Sequence, residues 1–135
     1  MSDATVFDRV GGTEFFQRLA KAFYASVRTD PVLLALYPQP DDLDGAAQRL
    51  ALFLMQYWGG PTTYSDERGH PRLRMRHAAY LIDEAMRDRW LSHMNAALNS
   101  CAMAAGQSGA DRLSADVVQE MRDYFVRAAD HLRNV

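Results

Sequence analysis

Apolar residues recur at three- and four-residue steps along almost the whole chain, and nowhere alternate with period two for long enough to make a strand. Phe16, Leu19, Phe23 and Val27 form one stripe. A second runs from about Asp44 through Ala46, Leu50, Phe53, Leu54, Tyr57 and Trp58. A third starts near Asp83 and takes in Met86, Trp90, Met94, Ala97, Leu98 and Cys101. A fourth starts near Ser114, where Leu113 and Val118 have the spacing of a hydrophobic staple, and continues through Met121, Phe125, Ala128 and Leu132. Such stripes are buried by packing helix on helix, so the expected fold class is all-α. Thr13, after Gly11-Gly12, is the expected cap of the first long helix. Asp30-Pro31 reads as a cap and a first-turn proline, opening a short helix toward Tyr37. Pro38 and Pro40 break the chain, and Gly59-Gly60-Pro61 stops the second stripe.

Composition limits the class further. The 135 residues are enough for one domain, spanning 1–135, with a real core and no dividing linker. A hydrophobic fraction of 48% fits a folded globule, and a net charge of -2 is not that of a nucleic-acid binder, which is usually clearly basic. Cys101 is the only cysteine, which excludes an intrachain disulfide and a cysteine-rich metal site. The opening residues MSDATVFDRVGG lack a secretory apolar run, and no stretch matches a membrane span. A cytoplasmic protein is the expectation.

One segment does not suit an ordinary bundle. Between Trp58 and Arg72 about 13 residues show little helical pattern, a loop length that in compact domains is usually functional or disordered. It leads into GHPRLRMRH, residues 69–77, which holds two of the four histidines. Tyr80, Leu81 and Ile82 follow and draw the segment toward the core, so His77 is expected near the core and His70 outside it. A lone histidine near a core is more often a hydrogen-bonded structural residue than a ligand. One neutral imidazole is nevertheless enough to hold haem iron, whereas a zinc site needs three or four ligands. On the residues alone, both readings of His77 stay open.

The set Gly11-Gly12, Phe23-Tyr24, Leu36-Tyr37-Pro38, Tyr57-Trp58-Gly59-Gly60-Pro61, GHPRLRMRH and Trp90 resembles the group II truncated haemoglobins, from about residue 7 to Leu98. The resemblance implies a truncated 2-over-2 globin fold, two antiparallel helix pairs crossing over a haem, with an extended loop before the proximal histidine. It implies haem b, iron protoporphyrin IX, as cofactor and His77, not His70, as the metal ligand. Tyr24, Tyr37 and Trp90, which read as core aromatics on composition alone, become distal donors to a bound diatomic ligand. Ala46 stands where other globins often carry a distal histidine and cannot coordinate iron, so the ferrous iron is expected to be five-coordinate. Phe23, Leu50, Phe53, Leu54, Leu73 and Met94 are the apolar haem contacts.

Arg72 and Arg76, one turn apart if the segment is helical, are placed to pair with the haem propionates, and Arg76 is the better candidate. Arg74 reads as solvated and Tyr64 as a weaker candidate for the same task. His93 is expected at the core edge and His131 at the surface.

The implied function is binding of dioxygen, retained by the distal donors, with carbon monoxide, nitric oxide and peroxide as further ligands. The alternative is a redox catalyst, such as a nitric oxide dioxygenase or a peroxidase-like protein served by a reductase. A cofactor-free helical interaction domain is the remaining class. His77→Gly should abolish axial ligation, with the absorption spectrum restored by added imidazole, while His70→Ala leaves that spectrum unchanged. The reverse outcome would sink the assignment.

Overall fold

The structure, a computed structural model, describes residues 5–37, 40–69, 82–107 and 115–133. All regular elements among them are helical: α1 (Val6–Arg9), α2 (Thr13–Val27), α3 (Pro31–Leu34), a 3-10 turn (Pro40–Asp42), α4 (Leu43–Tyr57), α5 (Thr63–Arg68), α6 (Glu84–Gln107) and α7 (Ala115–Leu132). None is long and apolar enough to cross a membrane.

The helix starts follow local chemistry. The Thr5 hydroxyl accepts from the Asp8 N–H while the Asp8 side chain accepts from the Thr5 N–H, closing a capping box on α1. Asp30 caps α3, with Pro31 at its first position as expected. Asp42 caps α4, which begins at Leu43, one residue before the expected start near Asp44. Thr13, expected as the cap of α2, is instead its first helical residue. The cap position is Gly12 at φ 80°, a left-handed conformation that threonine would strain to adopt.

Two antiparallel pairs make up the body. In the first, Arg28 at the end of α2 meets Asp44 at the start of α4, and the Phe16 ring near the start of α2 stacks on Trp58 just past the end of α4. In the second, Arg87 near the start of α6 pairs with Asp130 near the end of α7, and Arg122 reaches Asn99 further along. α2 also packs against α6, joining the pairs. Phe15, Phe16, Leu19, Phe23, Leu54, Met94, Leu98, Met121 and Phe125 are fully buried between them.

The segment expected to be irregular between Trp58 and Arg72 contains α5. Its helicity is too short to register as a periodic stripe. Gln56 fixes it, accepting from the Ser65 N–H at 2.9 Å and donating to the Ser65 hydroxyl at 2.7 Å, and Tyr64 is buried. The remainder of the expected loop, with His70, Arg72, Leu73, Arg74, Arg76, His77, Tyr80 and Leu81, lies outside the described residues, as do Leu113 and Ser114 of the expected staple.

Gly59 and Gly60 do more than stop α4. The Phe7 N–H donates to the Trp58 carbonyl at 3.0 Å, so α1 is stitched onto the end of α4. A Cβ on Gly60 would stand 2.6 Å from the Phe7 ring and 2.9 Å from the Met55 carbonyl oxygen, which already accepts from the Gly60 N–H. Gly59, at φ +94°, would bring a Cβ to 2.5 Å from the Thr5 methyl. Gly60→Ala should therefore destabilise the fold by about 1–3 kcal/mol through overpacking, read as a lowered denaturation midpoint. An unchanged midpoint would mean that α1 and α4 separate without cost.

Candidate functional site

A cavity of about 320 Å³ opens between the two helix pairs, walled by α2, α4, α5, α6, α7 and the α3 corner. Its surface is mostly apolar, with Phe23, Leu33, Leu36, Leu50, Phe53, Leu54, Met86 and Phe125 contributing. Tyr24, Tyr37 and Trp90 supply polar tips, and Arg49, Arg68 and Arg87 supply cationic groups. An apolar slot with a few convergent polar groups is the usual form of a small-molecule or cofactor site.

The aromatic donors are held by packing. The Trp90 ring lies 5.4 Å from Phe23 and 5.9 Å from Phe125, wedged between α2 and α7. Tyr24 and Tyr37 meet edge to face at 5.6 Å, close enough for each to influence the other's hydroxyl. Burial raises the pKa of Tyr24 above its ordinary value, against the opposing effects of the Tyr37 hydroxyl and the Arg49 charge. Burial first, and the Tyr24 contact second, raise that of Tyr37 still further. Both phenols therefore keep their protons at neutral pH and remain able to donate. Tyr124 on α7, another wall residue, is pushed up to about 12, chiefly by burial.

Of the residues singled out from sequence, Phe23, Tyr24, Tyr37, Ala46, Leu50, Phe53, Leu54 and Trp90 all border this cavity. Met94 is fully buried in the core rather than on the cavity wall. Tyr64 is a buried wall residue packed edge to face on Phe53 at 5.6 Å. His131 is exposed. His77, Arg72, Leu73 and Arg76 lie outside the described residues.

Sequence reasoning missed Arg49, Arg68 and Arg87, and the contribution of α7 through Tyr124 and Phe125. Phe125 was visible as a stripe residue, but periodicity identifies a buried face and not which part of it borders a cavity. Arg87 is held by Asp130 at 2.6 Å, Asp88 at 3.1 Å and Glu84 at 3.5 Å, and the Asp130 and then the Asp88 contacts raise its pKa. Arg49 approaches Asp42 at 4.0 Å.

A polar knot sits behind the wall. The buried Asp30 carboxylate accepts from the N–H groups of Val32 and Leu33, from Arg89 Nη1 and from His93 Nε2. His93, partly buried at the core edge, also contacts the Ser26 hydroxyl through Nδ1. The His93 bond, ahead of the others, holds the Asp30 carboxyl down to about 2.

The sequence profile of the family described as Bacterial-like globin matches residues 5–125. A Thermobifida fusca haemoglobin of known structure is 51% identical, covers 98% of each chain and superposes with a TM-score of 0.87. The truncated oxygen-avid haemoglobin from Bacillus subtilis is 30% identical, covers 97% of this chain and 100% of its own, and reaches 0.83. A group 2 truncated haemoglobin of B. subtilis is 40% identical over 88 residues, 65% of each chain. That match spans just under two thirds of the relative's length.

A depressed carboxylate pKa stabilises the fold above the unfolded value and loses that contribution as protons bind. The Asp30 contribution is thus present in full above the ordinary value of 3.8 and disappears as pH falls toward about 2. Asp30→Asn should lower stability at neutral pH and flatten its fall across that acid window, measured by denaturant titration at several pH values. A parallel downward shift at every pH would refute the linkage.

Proposed function

Because the chain belongs to the bacterial-like globin family, a truncated haemoglobin with haem-based ligand binding, we propose that it holds haem b in this cavity and retains dioxygen through Tyr24, Tyr37 and Trp90. The observation that carries the reading is the convergence of three buried or half-buried donor side chains on one otherwise apolar cavity. The lining suits the cofactor. Apolar side chains from α2, α4 and α7 match a flat macrocycle, and Arg49 and Arg68 offer cations to its carboxylates.

His77 would hold the iron, with Arg72 and Arg76 beside it in sequence as further propionate partners. Haem supplies, when bound, a ferrous iron with one open position for a diatomic ligand. The chain's own contribution is electrostatic. Tyr24, Tyr37 and Trp90 would set fixed donors against the negative charge of a bound diatomic ligand, an effect that a water-poor cavity strengthens. Ala46 offers no ligating atom, so the chain would leave that side of the haem to the diatomic ligand.

Retention fits chemistry or sensing better than delivery, and the similarity to the oxygen-avid B. subtilis haemoglobin supports it. The second reading is therefore a redox catalyst acting on nitric oxide with electrons from a reductase. Stopped-flow mixing of the oxygenated protein with nitric oxide separates the two. Turnover sustained by a reductant makes it a catalyst, and simple ligand release makes it a binder.

The donors should rank. The Trp90 indole N–H only donates, whereas the neighbouring Tyr24 and Tyr37 hydroxyls can both donate and accept. Trp90→Phe should speed oxygen release about 10- to 150-fold, the equivalent of losing a bond to a charged acceptor worth about 1.5–3 kcal/mol. Tyr24→Phe and Tyr37→Phe should each do less, and carbon monoxide should respond weakly through hydrogen bonding. The measurement is ligand-replacement kinetics. A Trp90→Phe rate within about twofold of wild type would reduce Trp90 to a packing residue.

A further inference from the structure

Ser26, His93 and Asp30 put a hydroxyl, an imidazole and a carboxylate in series, the composition of a nucleophilic relay. None of the three borders the cavity. The carboxylate is also shared among four donor groups rather than devoted to the histidine. What stands out is where those donors sit.

Ser26 lies two residues after Tyr24 on α2. Asp30 opens α3, whose Leu33 borders the cavity and which runs on to Tyr37. Arg89 immediately precedes Trp90 on α6, and His93 lies almost one turn after it. One buried carboxylate thus ties together the three elements that carry the three donors. We infer that Asp30, through His93 and Arg89, is a positioning residue that fixes the spacing of Tyr24, Tyr37 and Trp90 and so sets how firmly the cavity holds its ligand.

The physical argument is geometric. A helix of four residues has too few internal hydrogen bonds to hold its own direction, so α3 takes its orientation from what binds its start. Asp30 binds the N–H groups of Val32 and Leu33 at 3.1 and 3.2 Å, and the same carboxylate accepts from His93 at 2.9 Å and Arg89 at 3.1 Å. Facing that carboxylate, His93 Nε2 donates. In the neutral ring Nδ1 then accepts the Ser26 hydroxyl proton, which brings α2 into the same network. Hydrogen bonds to a charged group in a partly dehydrated site are strong and directional, and small displacements of donors weaken them steeply.

The inference rests on the reading of Tyr24, Tyr37 and Trp90 as donors. The test uses the haem-loaded protein and the variants Asp30→Asn, His93→Phe and the two combined, with Trp90→Phe as reference. The Asp30→Asn amide oxygen still accepts from the α3 N–H groups, so the cap survives while the grip on Arg89 and His93 weakens. Three readouts apply: oxygen release, the infrared C–O stretch of the carbon monoxide complex, and amide hydrogen exchange over Leu33–Tyr37.

Each single variant should release oxygen about 2- to 10-fold faster, the loss of one ordinary hydrogen bond. The C–O band should broaden or split as the donors lose a single arrangement, and α3 should exchange faster. The double variant should fall short of the product of the singles, because the residues act as a unit. Should Asp30→Asn fail to fold, His93→Phe and Arg89→Gln keep the carboxylate and its caps and carry the same expectation. Unchanged release and an unchanged C–O band in Asp30→Asn and His93→Phe, with Trp90→Phe fast, would overturn the inference. If Trp90→Phe itself leaves release unchanged, the donor reading fails separately. The positioning claim then stands or falls on the infrared band and the α3 exchange.

Discussion

Trp58 touches more of the molecule than any motif reading assigns to it. Its carbonyl receives the Phe7 N–H of α1 at 3.0 Å, and its ring stacks on Phe16 of α2 at 5.9 Å. On the other side it meets Tyr124 at 5.0 Å and Phe125 at 5.7 Å, both on α7. A buried indole of this kind removes about 150–250 Å² from water, which at about 25 cal/mol per Å² is on the order of 4–6 kcal/mol before entropic costs. That contact sets the height at which the two helix pairs cross. The pairing of α2 with α4, the placement of α7 and the seating of α1 all depend on it.

The same aromatic chain reaches the cavity. Phe125, packed on Trp58, also packs on Trp90 at 5.9 Å, and Trp90 packs on Phe23 at 5.4 Å. The proposed donor is thus braced on its apolar sides by the core itself, while Arg89 and His93 hold the flanking turns of its helix to Asp30. Tyr24 and Tyr37, by contrast, brace each other. Apolar packing gives Trp90 its place, and polar contacts govern the two phenols and the corner that carries one of them.

The all-α class and the main helices were legible because long amphipathic stripes carry a strong periodic signal. Asp30-Pro31 was legible because a cap and a first-turn proline are local chemistry. The cap of α2 was misread for a related reason. A threonine after two glycines looks like a cap until the backbone shows that the glycine itself holds the left-handed turn. α5 escaped because six residues make less than two turns. Eight candidate residues converge on the cavity because motif resemblance carries spatial information that periodicity lacks. The Asp30 knot was invisible because its members are brought together across 67 residues of sequence, from Ser26 to His93, and nothing local marks them.

The cavity wall begins at Phe23 on α2 and runs to Leu132 on α7, more than a hundred residues later. Its closure is therefore a long-range event, and the loop entropy of bringing α7 back against α2 and α4 must be overcome before the pocket has a far side. On the ribosome, the segment carrying Tyr124 and Phe125 emerges late. A nascent chain that has already paired α2 with α4 still presents an open apolar trough where the cavity will be. Docking of α7 gives that trough its far wall, so in this fold the segment 115–132 decides when a ligand can be held at all.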